Sequence, residues 1–420
     1  MPDRLKLRVW TPLPPQRSGV ADHNLLLLPE LAKLCDVTVV TDDELVSHPS
    51  RMQSVTVAGH SELERSPADL SIYHMGNHHG LHRRIHDELI ANPGVVVLHD
   101  PSLVDFYRAF HEDSVDGFAA EVALNGGPPV EQLPQVRVGA HWHPDRLQLQ
   151  LARRIVDPSL AVVVHSAWAR DVLRRQWPLT PIHHVELAAP VVTHPPNEPD
   201  IRRRCGWRPD DVVFGLLGGL WQHKRPELMV KIFAALHLLR PQTRLLVAGR
   251  LEDADAVFRM REAITRERLE AAVTVLTDVD DDEFTACIAA CDTVVDLRWP
   301  SAGETSATMM RAFGAGRPVV VSDLPQYGAL DAEFCWRVPT GPPEAAAATL
   351  EVMLSVTDDP SAAGQAGGRA RRFVKESATL ARVAQRYEAL AREVLAAGGG
   401  RGPATSPLPS MGPLGPGSPG

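Results

Sequence analysis

Residues 297–323 read LRWPSAGETSATMMRAFGAGRPVVVSD. The stretch sets a Pro-Ser-Ala-Gly-Glu loop and a run of small residues between two short apolar runs, TVVDL and PVVVS, whose β-branched content predicts strands. The loop carries no side chain large enough to pack a core. It presents backbone amides and one carboxylate, Glu304, to whatever lies beyond the strand ends. Ser301 to Ser306 are expected to turn into a helix running through ATMMRAFGAG, whose unbonded first amides make an anion site. Small residues such as Gly303 let a ligand approach the backbone. A plainer account of Glu304 is a first-turn acid that stabilises the helix dipole.

Outward from this stretch, the same rhythm runs through the chain twice. LKLRVWT, DVTVVT, LSIYHM, GVVVLH and AVVVH form a first series of strand-like runs, with helical stretches such as NLLLLPELAKL and WARDVLRRQW between some of them. DVVFGLL, TRLLVAG, VTVL, TVVDL and PVVVS form a second, separated by PELMVKIFAALHLL and DDEFTACIAAC. Strands alternating with helices predict parallel sheets with crossover connections. The expected class is therefore α/β, with two tandem Rossmann-like, doubly wound domains, a cleft between them and a disordered C-terminal tail. The first domain is expected over residues 1–192, the second over 205–376 and the Gly/Pro-rich tail over 398–420. A terminal helix at 377–397 is free to pack back on the first domain, and residues 113–150 read as helical and loop material inserted into it. Ligands of such sheets bind outside the carboxyl ends of the strands.

Composition sets bounds. A 44% hydrophobic and 23% charged chain of 420 residues is an ordinary globular protein with room for two cores. A formal net charge of -9 argues against general nucleic-acid binding. Five scattered cysteines suit a reducing compartment. The start MPDRLKLRVWTPLPP shows no apolar signal region, and LLLLPEL is too short to span a bilayer. A cytoplasmic location is expected, with the inner membrane face as its one membrane option. Arg202, Arg203 and Arg204 would either touch anionic lipid there or form a solvated linker.

Candidate residues cluster at strand ends. In GGLWQHKRPE, Gly218 opens a turn after a strand, and Lys224 and Arg225 precede a helix beginning near Pro226. Two cations at a helix start oppose its dipole, which asks for a diphosphate-like partner, the alternative being a solvated pair. Ser18 and Gly19 lie between the first strand and its helix. His99 ends the strand GVVVL, and Asp100 would fix its tautomer or start a turn. GNHHG places Asn77 and His78 at the cleft wall. His78, His82 and His86 would share a helix face, and HWH adds His141 and His143, but no acidic or Cys partner completes a metal set, so no metal is expected. Asp280 and Glu283 read as a capping arrangement rather than a calcium loop. The missing G-x-G-x-x-G fingerprint after the first strand argues against a dinucleotide oxidoreductase.

Four blocks, in this order, resemble the GT-B glycosyltransferases, in particular the large retaining family numbered 4: PPQRSGVADHNLLLLPELAK, VVVLHDP, GGLWQHKRPELMVKIFAAL and the stretch from residue 297. The resemblance covers most of residues 5–395. It implies transfer of a hexose from a nucleotide-diphosphate sugar, with retention of configuration and without a metal or other cofactor. It implies His99 and Glu304 as catalytic residues. Donor contacts would come from Ser18, Gly19, Gly218, Lys224, Arg225, Gly303, Glu304, Thr305, Ser306 and Arg311, and acceptor contacts from Asn77, His78 and Asp100. The acceptor would be a carbohydrate, a lipid or a small molecule. Two features depart from the family. Its second carboxylate, separated from the first by seven residues, is missing: Glu304 is followed by six residues and then Arg311. An Arg often found beside the Lys loop is replaced by GGL. Arg311 would contact phosphate or pair with an acid on the helix surface. The alternative to an enzyme is a protein of the same fold that binds a nucleotide or a partner without turnover.

Overall fold

A computed structural model describes residues 4–42, 50–65, 68–138, 141–193 and 201–398. The expected tail falls outside the described residues apart from Gly398, which ends the last helix. The strands are β1 (Lys6–Trp10), β2 (Asp36–Thr41), β3 (Thr56–Gly59), β4 (Leu70–Met75), β5 (Val95–Leu98), β6 (Gln135–Val138), β7 (His141–Pro144), β8 (Ala161–Val164), β9 (Ile182–His184), β10 (Val212–Leu217), β11 (Thr243–Gly249), β12 (Val273–Thr277), β13 (Thr293–Asp296), β14 (Val319–Ser322) and β15 (Cys335–Val338). Seven make a first parallel sheet in the order β3-β2-β1-β4-β5-β8-β9, and six make a second in the order β12-β11-β10-β13-β14-β15. The helix Val104–Phe110 follows β5, and the inserted segment then supplies the helix Val115–Leu124 and the antiparallel β6–β7 hairpin.

Central strands such as VVVL in β5, AVVV in β8 and VVVS in β14 are buried along their whole length. Continuous apolar runs are what a sheet covered by helices on both faces requires. Each sheet accordingly has two apolar clusters. In the first lobe one gathers Leu7, Val9, Leu27 and Val97, and the other Trp10, Tyr73, Phe106 and Val162. In the second they gather Phe313, Met309 and Val319, and Phe214, Phe233 and Val320. Burying one such Leu or Phe side chain contributes about 1.5–3 kcal/mol. The terminal helix Leu380–Gly398 returns to the first lobe, where Val383, Ala384, Tyr387 and Ala391 join the cluster of Leu7 and Val9.

Both sheets reverse strand order at their centre, between β1 and β4 and between β10 and β13. Reversal splits the connecting helices to opposite faces and leaves a crevice at the carboxyl ends of those strands. The two crevices face each other, and the lobes touch across them. Ser102 N–H donates to the carbonyl of Ala302 at 3.1 Å, and Thr305 Oγ1 to that of His165 at 3.1 Å. Arg250 pairs with Asp22 at 2.7 Å, and Arg51 with Asp281 and Asp282.

The arginines of RRRC do not act as one group: Arg203 and Arg204 are exposed, and Arg202 is not. Arg202 is pinned to the second sheet by Asp292 at 2.6 Å and by the carbonyls of Ala290 and Asp211, and Arg204 pairs with Glu283. Among the described residues no helix is long and apolar enough to cross a membrane.

Candidate functional site

The second-lobe crevice is built by three turns. After β10, Gly218 holds a φ of +94°, which a side chain rarely adopts. A Cβ there would also lie 2.8 Å from Lys224 Nζ and 2.7 Å from Thr308 Oγ1. The bare glycine thus lets the ammonium of one turn approach the first turn of the helix Ala307–Gly314, which Ser306 caps by accepting from Met309 N–H at 3.2 Å. Lys224 reaches this point from a 3-10 turn, Gln222–Lys224, and is buried. Its Nζ donates to the carbonyl of Leu217 at 2.9 Å and lies 3.6 Å from the Asp296 carboxylate. Burial pulls the ammonium pKa down to about 8, with Asp296 opposing. Burial also pushes Asp296 up, but Arg298 and then Lys224 more than offset it and hold the acid at about 2.

Arg298 organises the third turn. Its guanidinium meets Asp296 at 3.2 Å, Glu304 Oε1 at 3.1 Å and Ser306 Oγ at 2.9 Å. Glu304 Oε2 accepts from Ser301 Oγ and from Ala302 N–H, each at 2.8 Å. Burial would raise the Glu304 pKa, yet Arg298 and then His223 keep it below the ordinary value. The carboxylate is therefore ionised and locked into its own loop. Gly303 takes a φ of +85°, and a Cβ there would stand 2.6 Å from the Trp168 ring of the first lobe. The loop closes on the other lobe through a position that only glycine fills.

The facing crevice is neutral. His99, at the end of β5, accepts from or donates to His74 Nδ1 at 2.9 Å through Nε2. Its ring lies 4.8 Å from that of His165 and 5.9 Å from that of His23. Burial, then the neighbouring imidazoles, keeps His99 and His74 well below the usual histidine range. Burial takes His23 to about 3 and His165 to about 4. Nε2 of His23 and of His165 is buried without a hydrogen-bond partner. Asp100 stands beside them. Burial, then Glu304 across the cleft, pushes its carboxyl up to about 7, against the N–H of Asn77 that it accepts at 2.8 Å.

The remaining sequence candidates sort by position. Ser18 caps the helix Gly19–Leu31 by accepting from Ala21 N–H at 3.0 Å, and a side chain at Gly19 would meet open space. Asn77 is spent inside the first lobe: it donates to Asp105 at 2.9 Å and accepts from Phe106 N–H at 3.0 Å. His78 is exposed and lends its carbonyl to His82 Nδ1 at 2.9 Å. Two cations leave the crevice. Arg225 donates to the carbonyl of Thr340 at 2.9 Å, away from Lys224, so the pair expected to act together diverges. The cause is local: Arg225 has a φ of +56°, a left-handed turn into the Pro-started helix that swings it from its neighbour's course. Arg311 pairs with Asp281 at 2.6 Å, donates to Thr285 at 2.7 Å and lies over the Phe284 ring, so of its two expected roles it has the acid pairing. Of the helical histidines, His82 and His86 are buried separately, His82 on the His78 carbonyl and His86 on Asp87 and Tyr107. Among the described residues no group of three or more His, Cys, Asp or Glu side chains is arranged to hold a metal ion.

Residues that sequence reading missed are Asp296, Arg298, His23, His74, His165 and Trp168. Asp296 and Arg298 did leave a signal. Two opposite charges, two apart at the end of an apolar strand, are tolerated in a core only when paired. The three histidines come from three distant segments, and no spacing announces them.

Comparison with known proteins gives this arrangement a lineage. Residues 211–355 match the family model described as glycosyl transferases group 1. No curated protein matches the sequence. Solved structures align over nearly the whole chain. Sucrose-phosphate synthase from Thermosynechococcus elongatus is 16% identical, covering 93% of this chain and 100% of that one, with a TM-score of 0.66. Anabaena Alr3699/HepE in complex with UDP-glucose is 14% identical, covering 93% and 100%, with a TM-score of 0.63. WaaG, a glycosyltransferase involved in lipopolysaccharide biosynthesis, is 14% identical, covering 91% and 99%, with a TM-score of 0.61. Identities this low establish shared architecture, the GT-B arrangement of two facing Rossmann-like lobes.

Proposed function

We propose that this protein, whose residues 211–355 match the family model of glycosyl transferases group 1, is a glycosyltransferase that moves a hexose from a nucleotide-diphosphate sugar to a hydroxyl acceptor with retention of configuration and without a metal ion. The observation that carries the reading is the meeting of Lys224 Nζ with the first turn of the helix Ala307–Gly314 at the bare Gly218. Sugar transfer expels a diphosphate, and negative charge grows on it as the bond to the sugar breaks. A fixed ammonium and oriented amides aimed at that charge lower the barrier without reorganising. Because burial has already stripped Lys224 of water, an arriving diphosphate meets a donor that needs little further desolvation.

The sugar ring would sit between the Glu304 loop and His99. Glu304 keeps acceptor capacity for a sugar hydroxyl beyond the three donors it already receives. Both rings are neutral over the physiological range: His165 gives its Nδ1–H to the Val185 carbonyl and so offers Nε2 as an acceptor for one hydroxyl, while His99 has Nδ1 left to accept from or donate to another, which suits orienting an acceptor rather than holding a charge. The departing phosphate oxygen would assist the incoming hydroxyl on the same face of the ring. Closure through Ser102, Thr305 and Gly303 would exclude water. HepE was solved with UDP-glucose, which makes uridine sugars the first donors to try.

The test is incubation with UDP-, GDP- and ADP-sugars while slow hydrolysis is followed. Release of nucleoside diphosphate that disappears in Lys224→Ala supports transfer. Tight binding without release supports a binding protein instead. No heat with any of these nucleotides ends both readings.

A further inference from the structure

The second lobe has a cavity of about 270 Å³ that the crevice does not use. It lies where the turn into the helix Pro226–Leu239 meets the helix Ala254–Arg266 and the start of the helix Pro342–Asp358. Gln222, Arg225, Glu227, Arg259, Trp299 and Thr340 are among its walls. The volume is at the small end of ligand sites, enough for one sugar and not for a chain of them.

Its charged lining has one carboxylate, Glu227, and two guanidinium groups, Arg225 and Arg259. Glu227 is engaged by Lys231 at 2.6 Å, and Arg259 stands 3.9 Å from its other oxygen, too far for a hydrogen bond. Arg225 spends one Nη on the carbonyl of Thr340. Two guanidinium groups with donors to spare thus line a partly enclosed space beside the half-buried indole of Trp299. An aromatic face with planar hydrogen-bonding groups around it suits a pyranose or furanose ring, and paired guanidinium forks suit a phosphate or carboxylate. The left-handed backbone of Arg225, costly for a side-chain-bearing residue, adds to the case, since it accompanies a guanidinium that lines the cavity.

We propose that this cavity binds a small anionic sugar, a monosaccharide bearing a phosphate or a carboxylate, separately from the nucleotide sugar. Its position gives it leverage on the crevice. Gln222 and Arg225 bracket the turn that carries Lys224, and Trp299, whose N–H donates to the His223 carbonyl at 2.8 Å, leads directly into the Ser301–Glu304 loop. A bound sugar would brace both turns.

The experiment is titration calorimetry of the full chain with glucose 6-phosphate, glucuronate, glucose and inorganic phosphate, each with and without saturating UDP. The expected result is heat with the charged sugars that persists at saturating UDP, weaker with phosphate alone and absent with glucose. Arg259→Glu should weaken charged-sugar binding at least tenfold, and Arg259→Gln less, with melting temperatures unchanged. The proposal is overturned if no member of the panel binds, or if glucose binds as well as the charged sugars. Phosphate binding as tightly as glucose 6-phosphate also overturns it, because no sugar is then recognised. So does displacement by UDP, which puts the ligand in the donor crevice, or full affinity in Arg259→Glu. Because the readout is binding in the presence of UDP, it stands or falls independently of turnover.

Discussion

The two crevices come from the same topology and solve opposite electrostatic problems. At the β10/β13 reversal, Lys224, Asp296, Arg298 and Glu304 form a buried chain of alternating charge. At the β1/β4 reversal and the neighbouring ends of β5 and β8, four imidazoles stand together with their pKa values depressed. Burying charge is costly unless every member is paired, and the second lobe meets that condition with hydrogen bonds from Arg298 to Asp296 and Glu304 and a 3.6 Å ion pair between Lys224 and Asp296. Burying histidine is tolerable because it sheds its proton, and the first lobe uses that route. Under the proposed function, one side would receive an anion that grows more negative and the other neutral hydroxyls.

The sharpest way to break this contrast is to remove the ammonium. Lys224→Ala should lower kcat/KM for nucleotide-sugar hydrolysis by about 10²- to 10³-fold, the loss typical of one preorganised donor to a developing oxyanion. It also leaves Asp296 facing Arg298 alone, so a melting curve must accompany the kinetics. A smaller loss with unchanged stability would place the diphosphate elsewhere. In native protein the same group sets a pH limit. An ammonium with its pKa lowered to about 8 is charged below that pH and lost above it, so kcat/KM should fall as pH rises through about 8.

Next in size are two changes in the loop that joins the lobes. Glu304→Ala should cut kcat/KM more than tenfold, about 1.4 kcal/mol of transition-state binding. Unchanged kinetics would remove Glu304 from the chemistry and leave it as the lock of its own loop. Gly303→Ala should cost a similar factor for a different reason, combining a left-handed φ of +85° with a clash against Trp168. The double variant Gly303→Ala, Trp168→Ala separates these. It should recover part of the loss if closure is what failed, and none if backbone strain alone did the damage.

Legibility in the sequence followed the same division. The central strands were readable because burial on both faces writes unbroken β-branched runs: DVTVVT and LSIYHM match β2 and β4 residue for residue. Capping was readable where its chemistry is local, as at Asp280, which accepts from Glu283 N–H at 2.8 Å. Besides the β6–β7 hairpin, the missed strands β3, β9 and β15 lie at sheet edges, where TVAG, IHH and CWRV need satisfy only one neighbour and carry a weak pattern. In the site, Lys224 and Glu304 were visible as charges in loops after strands. What each one faces was not, because Asp296 reaches Lys224 only when the sheet forms and Asp100 faces Glu304 only when the lobes meet. Arg225 misled for the reverse reason, since adjacency in sequence says nothing of direction once a residue turns left-handed.

Asp100 offers a finer test of how the charged and neutral sides meet. Its raised carboxyl pKa, about 7, means that it faces Glu304 as a neutral acid below that pH and as a second negative charge above it. The sign follows directly: the closed arrangement is favoured with Asp100 protonated and loses that support as pH rises through about 7. Small-angle scattering of the native chain should show expansion over that interval, and kcat/KM should decline by a few fold before the steeper loss near pH 8. Asp100→Asn should stay closed and keep only the second decline. If it opens with pH like the native chain, the repulsion is not between these two acids.

The smallest effect is expected where the sequence departs most from the family. Arg311 stands where a nucleotide-gripping carboxylate would be, yet it pairs with Asp281, bonds Thr285 and lies over Phe284. Asp281 also receives Arg51 from the first lobe, so Arg311 is one half of a clasp between lobes. Arg311→Gln should therefore change the affinity for a nucleoside diphosphate less than twofold, while loosening closure as seen by scattering. A loss of ten-fold or more in nucleotide binding would mean that Arg311 leaves Asp281 when the donor arrives. The second lobe would then hold a diphosphate with a mobile cation as well as a fixed one, and its contrast with the first lobe would be one of charge without rigidity.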